Sequence, residues 1–364
     1  MAKEQIANRQ LWFILFIMRS TIIIGFLPVL TTADALNDAW ISAILVLIGS
    51  LLIVYFISLL DIRYKELTII QYSQLLLGKT FGKIISLIIL WIFLQITAIE
   101  IRLYAEVIVT TFLPETPIIF IVGGMVLTAA ICIYMGLETL GRSADFLFFL
   151  YSFMVVTVII ITFFEIDLEN IQPIMARGWS PVIAGALTPI ILIKQAWVIT
   201  IISPELESPQ KLVKTSLTAI GASIIALIVV VFITIAVLGP DMGARSTFPV
   251  LTLIRSIEVS EFLQRTEILL IFAWSFGLFI SVSTYLYSGA RGIADLTGIK
   301  DYHALVWPMS IVWIFLSIHG FEDVFTLDSF LQPEVFVPYG IFMLIFPLIL
   351  LWLGYGIRII RQKI

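Results

Sequence analysis

Ten apolar stretches of roughly 20 residues recur along the 364-residue chain, at 11–31, 39–60, 83–113, 117–136, 145–164, 184–203, 213–238, 266–289, 303–319 and 337–357. Each has the length that a helix needs to cross a hydrocarbon core of roughly 30 Å. Composition agrees: 60% of the residues are hydrophobic and 13% charged, whereas a soluble domain carries about 45–50% and about 25%. The expected fold is an all-α polytopic membrane protein of about ten transmembrane helices. Nothing between the spans is long enough to be a separate domain, so residues 1–364 form a single transmembrane domain. The basic residues Lys3 and Arg9 before the first run imitate a signal peptide. No small-x-small cleavage pattern follows, so 11–31 is read as a span.

Loop charge orients the spans. Of the 21 basic residues, fourteen fall on the side that carries both termini, four on the other side, and Arg19, Arg102 and Lys194 inside spans. The positive-inside rule then places both termini in the cytoplasm, as an even number of spans requires. The opposite loops are acidic, with Asp34, Asp38, Glu115, Glu165, Asp167, Glu169, Glu322, Asp323 and Asp328. Residues 248–264 space Leu251, Ile254, Ile257 and Phe262 at nearly helical intervals, a pattern that predicts an amphipathic helix lying in that interface.

Spans 1 and 6 share a weak symmetry. Each carries a proline near its end, Pro28 in "GFLP" and Pro204 in "IISP". With those prolines superimposed, Arg19 falls on Gln195, one residue from Lys194. The two spans cross in opposite directions, as a five-plus-five inverted repeat requires, with a first repeat at about 11–164 and a second at about 184–357. Transporters built this way place their substrate at mid-membrane, beside discontinuous helices.

Four further stretches occur in order along the chain: "NDAWIS" (37–42), "LGKTFGK" (77–83), "SPELESPQK" (203–211) and "FLQRTEILLIFAW" (262–274). Together they resemble the spore germination permease family, the B subunits of nutrient germinant receptors. The resemblance implies an amino acid–polyamine–organocation fold of the LeuT type with helices 1 and 6 broken. It also implies the inner membrane of the bacterial spore, and assembly with an A-type subunit and a lipoprotein C-type subunit. Members of this family are thought to sense a small nutrient, often an amino acid. They often carry a glycine about two turns before the span 1 proline, where this chain has Thr21. That departure leaves Gly25 as the better candidate hinge.

Charged residues inside the spans carry the functional reading, because a central charge costs roughly 2.5–3.5 kcal/mol on insertion scales and faces a cavity or a partner. The set is Arg19, Glu100, Arg102, Glu106 and Lys194. Arg102 and Glu106 are i, i+4 and are expected to pair. Glu100 lies about 200° around the helix from Arg102 and is left out of that pair. In the implied fold Arg19, Glu100 and Lys194, each near the middle of spans 1, 3 and 6, can converge. Three roles stay open for Lys194: direct contact with ligand, a fixed internal cation that takes the place of sodium and pairs with Glu100, or purely structural pairing. Ligand-lining candidates are Thr21, Gly25, Ile96, Glu100, Tyr104, Lys194, Trp197, and the i, i+4 pair Ser281 and Tyr285 in "SVSTYLYS" (281–288).

No metal-ligand spacing, nucleophile elbow or phosphate loop occurs, the lone Cys132 sits in an apolar run, and His303 and His319 stand at opposite ends of span 9. No enzymatic activity, cofactor, metal or nucleic-acid partner is therefore expected. The expected partners are the receptor subunits, a small nutrient and the bilayer. A secondary amino-acid transporter is the alternative from another class, and a water or ion channel is the weaker third.

Overall fold

The computed structural model describes residues 4–25, 27–246, 248–256, 267–321 and 324–363. Their regular structure is helical apart from one isolated bridge between Ile6 and Leu206. The first span comprises α1 (Asn8–Gly25) and α2 (Leu27–Ala35). The second is α3 (Ala39–Asp61), followed by the short α4 (Ile69–Leu77). Then come α5 (Lys79–Thr111), α6 (Ile118–Tyr134) and α7 (Leu137–Phe163). The sixth span is α8 (Trp179–Ile191), a 3₁₀ stretch (Leu192–Val198) and α9 (Ile199–Ile202). It is followed by α10 (Leu212–Leu238) and two short helices, α11 (Pro240–Arg245) and α12 (Pro249–Ser256). The chain ends with α13 (Glu267–Thr297), α14 (His303–His319), α15 (Val324–Leu331) and α16 (Pro333–Lys363).

The ten expected spans are all helical, with two informative differences at their ends. α7 begins eight residues before the expected 145, because its polar first turns are held by an Arg142–Glu138 ion pair at 3.1 Å and by Asp145, which Arg9 reaches at 3.0 Å. α13 runs eight residues past 289, where Arg291 and Asp295 pair with each other along its last turns. Hydropathy alone stops at such charges, while the backbone continues. Of the predicted amphipathic helix over 248–264, the structure describes α12 to Ser256, and 257–264 lie outside the described residues.

Corresponding spans of the two repeats pack on each other: α3 on α10, α5 on α13 and α6 on α14, while α2 lies against α8. Close approach is bought by small residues, as in membrane bundles generally. An added Cβ at Gly277 on α13 would lie 3.1 Å from Thr21 Cβ on α1, and one at Gly185 on α8 would lie 2.7 Å from the Thr31 carbonyl on α2. Buried hydroxyls are satisfied along their own helices, as Thr97 donates to the Phe93 carbonyl at 2.6 Å and Thr284 to the Ile280 carbonyl at 2.7 Å.

At the end that carries the termini, the N-terminal segment is stitched to the exit of the sixth span. Ile6 N–H donates to the Glu205 carbonyl at 3.0 Å, and Glu207 N–H donates to the Ile6 carbonyl at 3.1 Å. Arg291 bridges Glu205 and Asp295 at 3.5 and 3.6 Å, and Asp295 accepts from Thr68 beside α4 at 2.6 Å. The N-terminal segment, the exit of span 6, span 8 and the start of α4 are therefore clamped together at that end.

Candidate functional site

The break in the sixth span follows from Pro189 and from a change of helix type. A proline inside α8 has no N–H for the carbonyl one turn back. Downstream, Leu192 N–H still reaches the Thr188 carbonyl in α fashion, and from there the chain winds as a 3₁₀ helix. Passing from i−4 to i−3 bonding skips one acceptor, here the Pro189 carbonyl. Arg19 of α1 takes it, donating from Nη2 at 3.0 Å. The exposed backbone oxygen of one broken span is thus held by the buried guanidinium of another.

Around this contact four spans deliver polar groups into an apolar interior. Arg19, Gln195, Ser281 and Tyr285 are each at most 2% exposed, and Glu100 is 4% exposed. The Tyr285 hydroxyl lies 3.4 Å from Glu100 Oε1 and 3.3 Å from Gln195 Oε1. It has one proton for two acceptors. Ser281 stands one turn earlier on α13. Among the described residues, Arg19 Nε and Nη1, Glu100 Oε2, Gln195 Nε2, Ser281 Oγ and Trp197 Nε1 are buried with no hydrogen-bond partner. Buried polar groups are nearly always bonded, and these single the cluster out as a candidate site. Its unpartnered donors come from Arg19, Gln195 and Trp197, and its unpartnered carboxylate oxygen from Glu100.

The remaining expected residues divide. Ile96 and Tyr104 flank Glu100 by one turn each on α5 and are buried. The Tyr104 hydroxyl pairs with Ser275 of α13 at 2.5 Å, and its ring meets Trp274 edge-on. Thr21 spends its hydroxyl on the Ile17 carbonyl at 2.7 Å and packs on Gly277, so it serves the α1–α13 seam. Gly25 is the last residue of α1, and its surroundings lie outside the described residues. Arg102 and Glu106 pair at 2.6 Å as expected, and Arg102 Nη1 also donates to the Ile318 carbonyl of α14 at 2.9 Å, on the opposite side of α5 from Glu100.

Lys194 corrects the expectation of one converging charge network. Its ammonium forms no ion pair with Glu100; it donates to Gln95 Oε1 at 3.4 Å and sits over the rings of Phe336 and Tyr339 at 4.7 and 5.1 Å. Tyr339 closes the box by donating to Gln95 at 2.7 Å and accepting from Trp91 at 2.8 Å. Consecutive residues of the 3₁₀ stretch point about 120° apart, and Gln195 meets Tyr285 of the Glu100 cluster while Lys194 meets Gln95 of α5 and the rings of α16. The five intramembrane charges thus occupy three places, Arg19 with Glu100, Arg102 with Glu106, and Lys194 in its aromatic box.

Sequence reasoning missed Gln95, Gln195 and the Pro189 carbonyl as site members. Gln95 and Gln195 were visible as polar residues inside apolar runs. Phe336 and Tyr339 carry no such signal, since aromatics in this chain are mostly packing.

Comparison with known proteins now bears on this arrangement. Residues 5–323 match the model of the "Spore germination protein" permease family. The chain belongs to that family. Spore germination protein KB of Bacillus subtilis is 29% identical over 87% of this chain and 86% of its own length, and spore germination protein YndE of the same organism is 24% identical over 80% and 81%. The fold is that of LeuT-type transporters. The crystal structure of MhsT in complex with L-phenylalanine superimposes with a TM-score of 0.70 at 13% identity, over 93% of this chain and 89% of that one. Mhp1, a nucleobase-cation-symport-1 family transporter, gives 0.65 at 15%, over 94% and 78%. At such identities the likeness concerns the fold. The five-plus-five inverted repeat with helices 1 and 6 broken, and membership in the germinant-receptor permeases, are what the motifs imply.

Proposed function

We propose that this chain is the nutrient-sensing membrane subunit of a spore germinant receptor, resident in the inner spore membrane with both termini cytoplasmic. The reading is carried by the unpaired buried groups of Arg19, Glu100 and Gln195 at the break of the sixth span. A small zwitterion such as an amino acid complements them. Its carboxylate suits the Arg19 guanidinium and the Gln195 amide, and its ammonium suits Glu100, with the Tyr285 hydroxyl between. Ile96 and Tyr104, one turn on either side of Glu100, supply apolar surface for a side chain. Binding there favours one arrangement of spans 1 and 6, and a difference of affinity between two arrangements is what shifts a population. A- and C-type partner subunits would read that shift. The family membership supports the partners, and the exit of the sixth span, clamped to Ile6 and Arg291, supports the route.

A secondary amino-acid transporter is favoured by one observation, the LeuT-type fold shared with MhsT. Purified protein in liposomes separates the two. Titration with a panel of amino acids, sugars and nucleosides is expected to give saturable binding of an amino acid, without net accumulation under proton or sodium gradients. Gradient-driven uptake establishes the transporter. Binding of sugars or nucleosides but no amino acid overturns the zwitterion assignment.

A further inference from the structure

The seam between α3 and α16, at the end that carries the termini, presents two adjoining recesses remote from the Arg19–Glu100 cluster. The outer one is a cleft of about 280 Å³ lined by Arg63, Tyr64, Tyr355, Arg358 and Ile359. The inner one is an apolar groove of about 450 Å³ lined by Phe56, Leu348, Ile349, Trp352 and Leu353. The inner recess lies between α3 and α16, and the outer one between α16 and the 3₁₀ turn Ile62–Tyr64 that continues α3. Arg63 follows Phe56 by seven residues, about 10 Å along the chain axis, and Arg358 follows Leu353 by five, about 7 Å. An aromatic wall joins them. Phe56 meets Trp352 edge-on at 6.0 Å, Trp352 meets Tyr355 at 5.7 Å, and Tyr355 meets Tyr64 at 6.4 Å. The Trp352 indole N–H is taken by the Phe56 carbonyl at 3.3 Å, which fixes that wall.

The charge in the outer cleft is uncompensated. Neither Arg63 nor Arg358 has a carboxylate partner among the described residues. Arg63 stacks over the Tyr355 ring at 5.9 Å, and Arg358 places one donor on the Leu75 carbonyl at 3.3 Å, leaving other guanidinium donors turned to the cleft. Lys65, Arg361 and Lys363 lie within a few residues, with Glu66 and the fully buried Asp61 the nearby acids. Arginine presents a fixed fork of donors that matches a phosphate group, and tyrosine and tryptophan belong at head-group depth. A groove of apolar side chains, continuing from that cleft toward the membrane middle, is what an acyl chain requires.

We propose that this seam is a binding site for one anionic phospholipid of the leaflet on the terminal side, its phosphate between Arg63 and Arg358 and an acyl chain along Phe56, Trp352 and Leu353. The site goes beyond the nutrient reading and does not depend on it. α3 packs on α10 and α16 on α8, so a lipid bridging α3 and α16 ties together elements of both repeats.

Native mass spectrometry of the full chain, released from micelles doped with phosphatidylglycerol or phosphatidylcholine, tests the assignment. One phosphatidylglycerol is expected to survive at collision energies that strip phosphatidylcholine. In Arg63→Gln/Arg358→Gln its occupancy is expected to fall roughly thirtyfold, about fivefold for each arginine near a lipid surface. Arg142→Gln/Arg245→Gln, with the same loss of charge elsewhere, should retain it. Arg63→Lys/Arg358→Lys should retain preference over phosphatidylcholine, and it keeps the test open if the glutamine variant fails to fold. Equal retention of the two lipids by the wild type, or undiminished retention by the glutamine variant, overturns the proposal. Displacement by glycerol phosphate at equal concentration shows a phosphate site without an acyl requirement, and overturns it too. A glutamine variant that keeps the lipid but no longer co-purifies with partner subunits assigns the arginines to a protein interface instead.

Discussion

Arg19 Nη2 and the Pro189 carbonyl oxygen, 170 residues apart in the chain, lie 3.0 Å apart across the two broken spans. The donor is the one buried cation on α1, and the acceptor is the carbonyl that the switch from α to 3₁₀ winding leaves without an N–H. Removing the donor strands a buried acceptor, which costs about 1–3 kcal/mol. Arg19→Met is therefore expected to lower stability by that amount and to loosen the 3₁₀ stretch at Leu192–Val198. Hydrogen exchange reads this directly. Amides of that stretch should exchange faster in the variant, while those of α10 change little. Unchanged protection there would show that the stretch holds its own conformation.

Tyr285 is placed to choose between acceptors. Its hydroxyl faces Glu100 on α5 and Gln195 on the broken span at nearly equal distance, so a ligand that takes over either acceptor releases the proton to the other. A hydrogen bond to a charged group is worth about 1.5–3 kcal/mol. Tyr285→Phe should weaken nutrient binding roughly ten- to a hundredfold without a comparable loss of thermal stability, since the ring stays packed near Phe93. Isothermal titration of the purified variant checks the first and a melting curve the second. Wild-type affinity would remove Tyr285 from the site.

The contrast between Gln195 and Lys194 shows what a sequence of this kind makes legible. Span number, the Arg102–Glu106 pair and the burial of Arg19 and Glu100 within their spans follow from hydropathy and spacing. These are one-dimensional properties, and the structure has them where the pattern puts them. The direction of Lys194 depends on helix type over seven residues. Its place in the middle of an apolar run does not tell which side of the span it faces. Its box of Phe336 and Tyr339 is built from aromatics that look like ordinary packing in sequence. The alignment of Pro28 with Pro204 did carry a correct hint, for it superimposes Arg19 on Gln195, and both enter the Glu100 cluster.

The α1–α13 seam offers a test of packing. Gly277 faces Thr21 so closely that an added Cβ would meet the Thr21 hydroxyl, and would stand 3.1 Å from Thr21 Cβ and 3.2 Å from the Tyr151 ring. Gly277→Ala is expected to cost about 1–3 kcal/mol by overpacking. Thr21→Ala removes the nearest atom, so the double variant should regain part of that loss. Melting temperatures of the four proteins give the coupling. Strict additivity would mean that the helices separate elsewhere.

Lys194 gives the sharpest separation between the arrangement found and a paired-charge network. Had its ammonium been held by Glu100, removing it would strand a buried carboxylate at a cost of about 3–5 kcal/mol. Instead its contacts are one amide oxygen and two ring faces. Methionine fills similar space and keeps favourable contact with aromatic rings. Lys194→Met is therefore expected to fold with little loss of stability, and its combination with Glu100→Gln should be additive to within about 0.5 kcal/mol, as for residues that share no partner. A cycle of thermal or chemical denaturation on the four proteins measures this. A coupling of 2 kcal/mol or more, on the order expected for a shared network, would restore the Lys194–Glu100 pair. If additivity holds and Lys194→Met nevertheless binds nutrient but fails to trigger germination, the lysine's task is to join the sixth span to α16 when the signal passes.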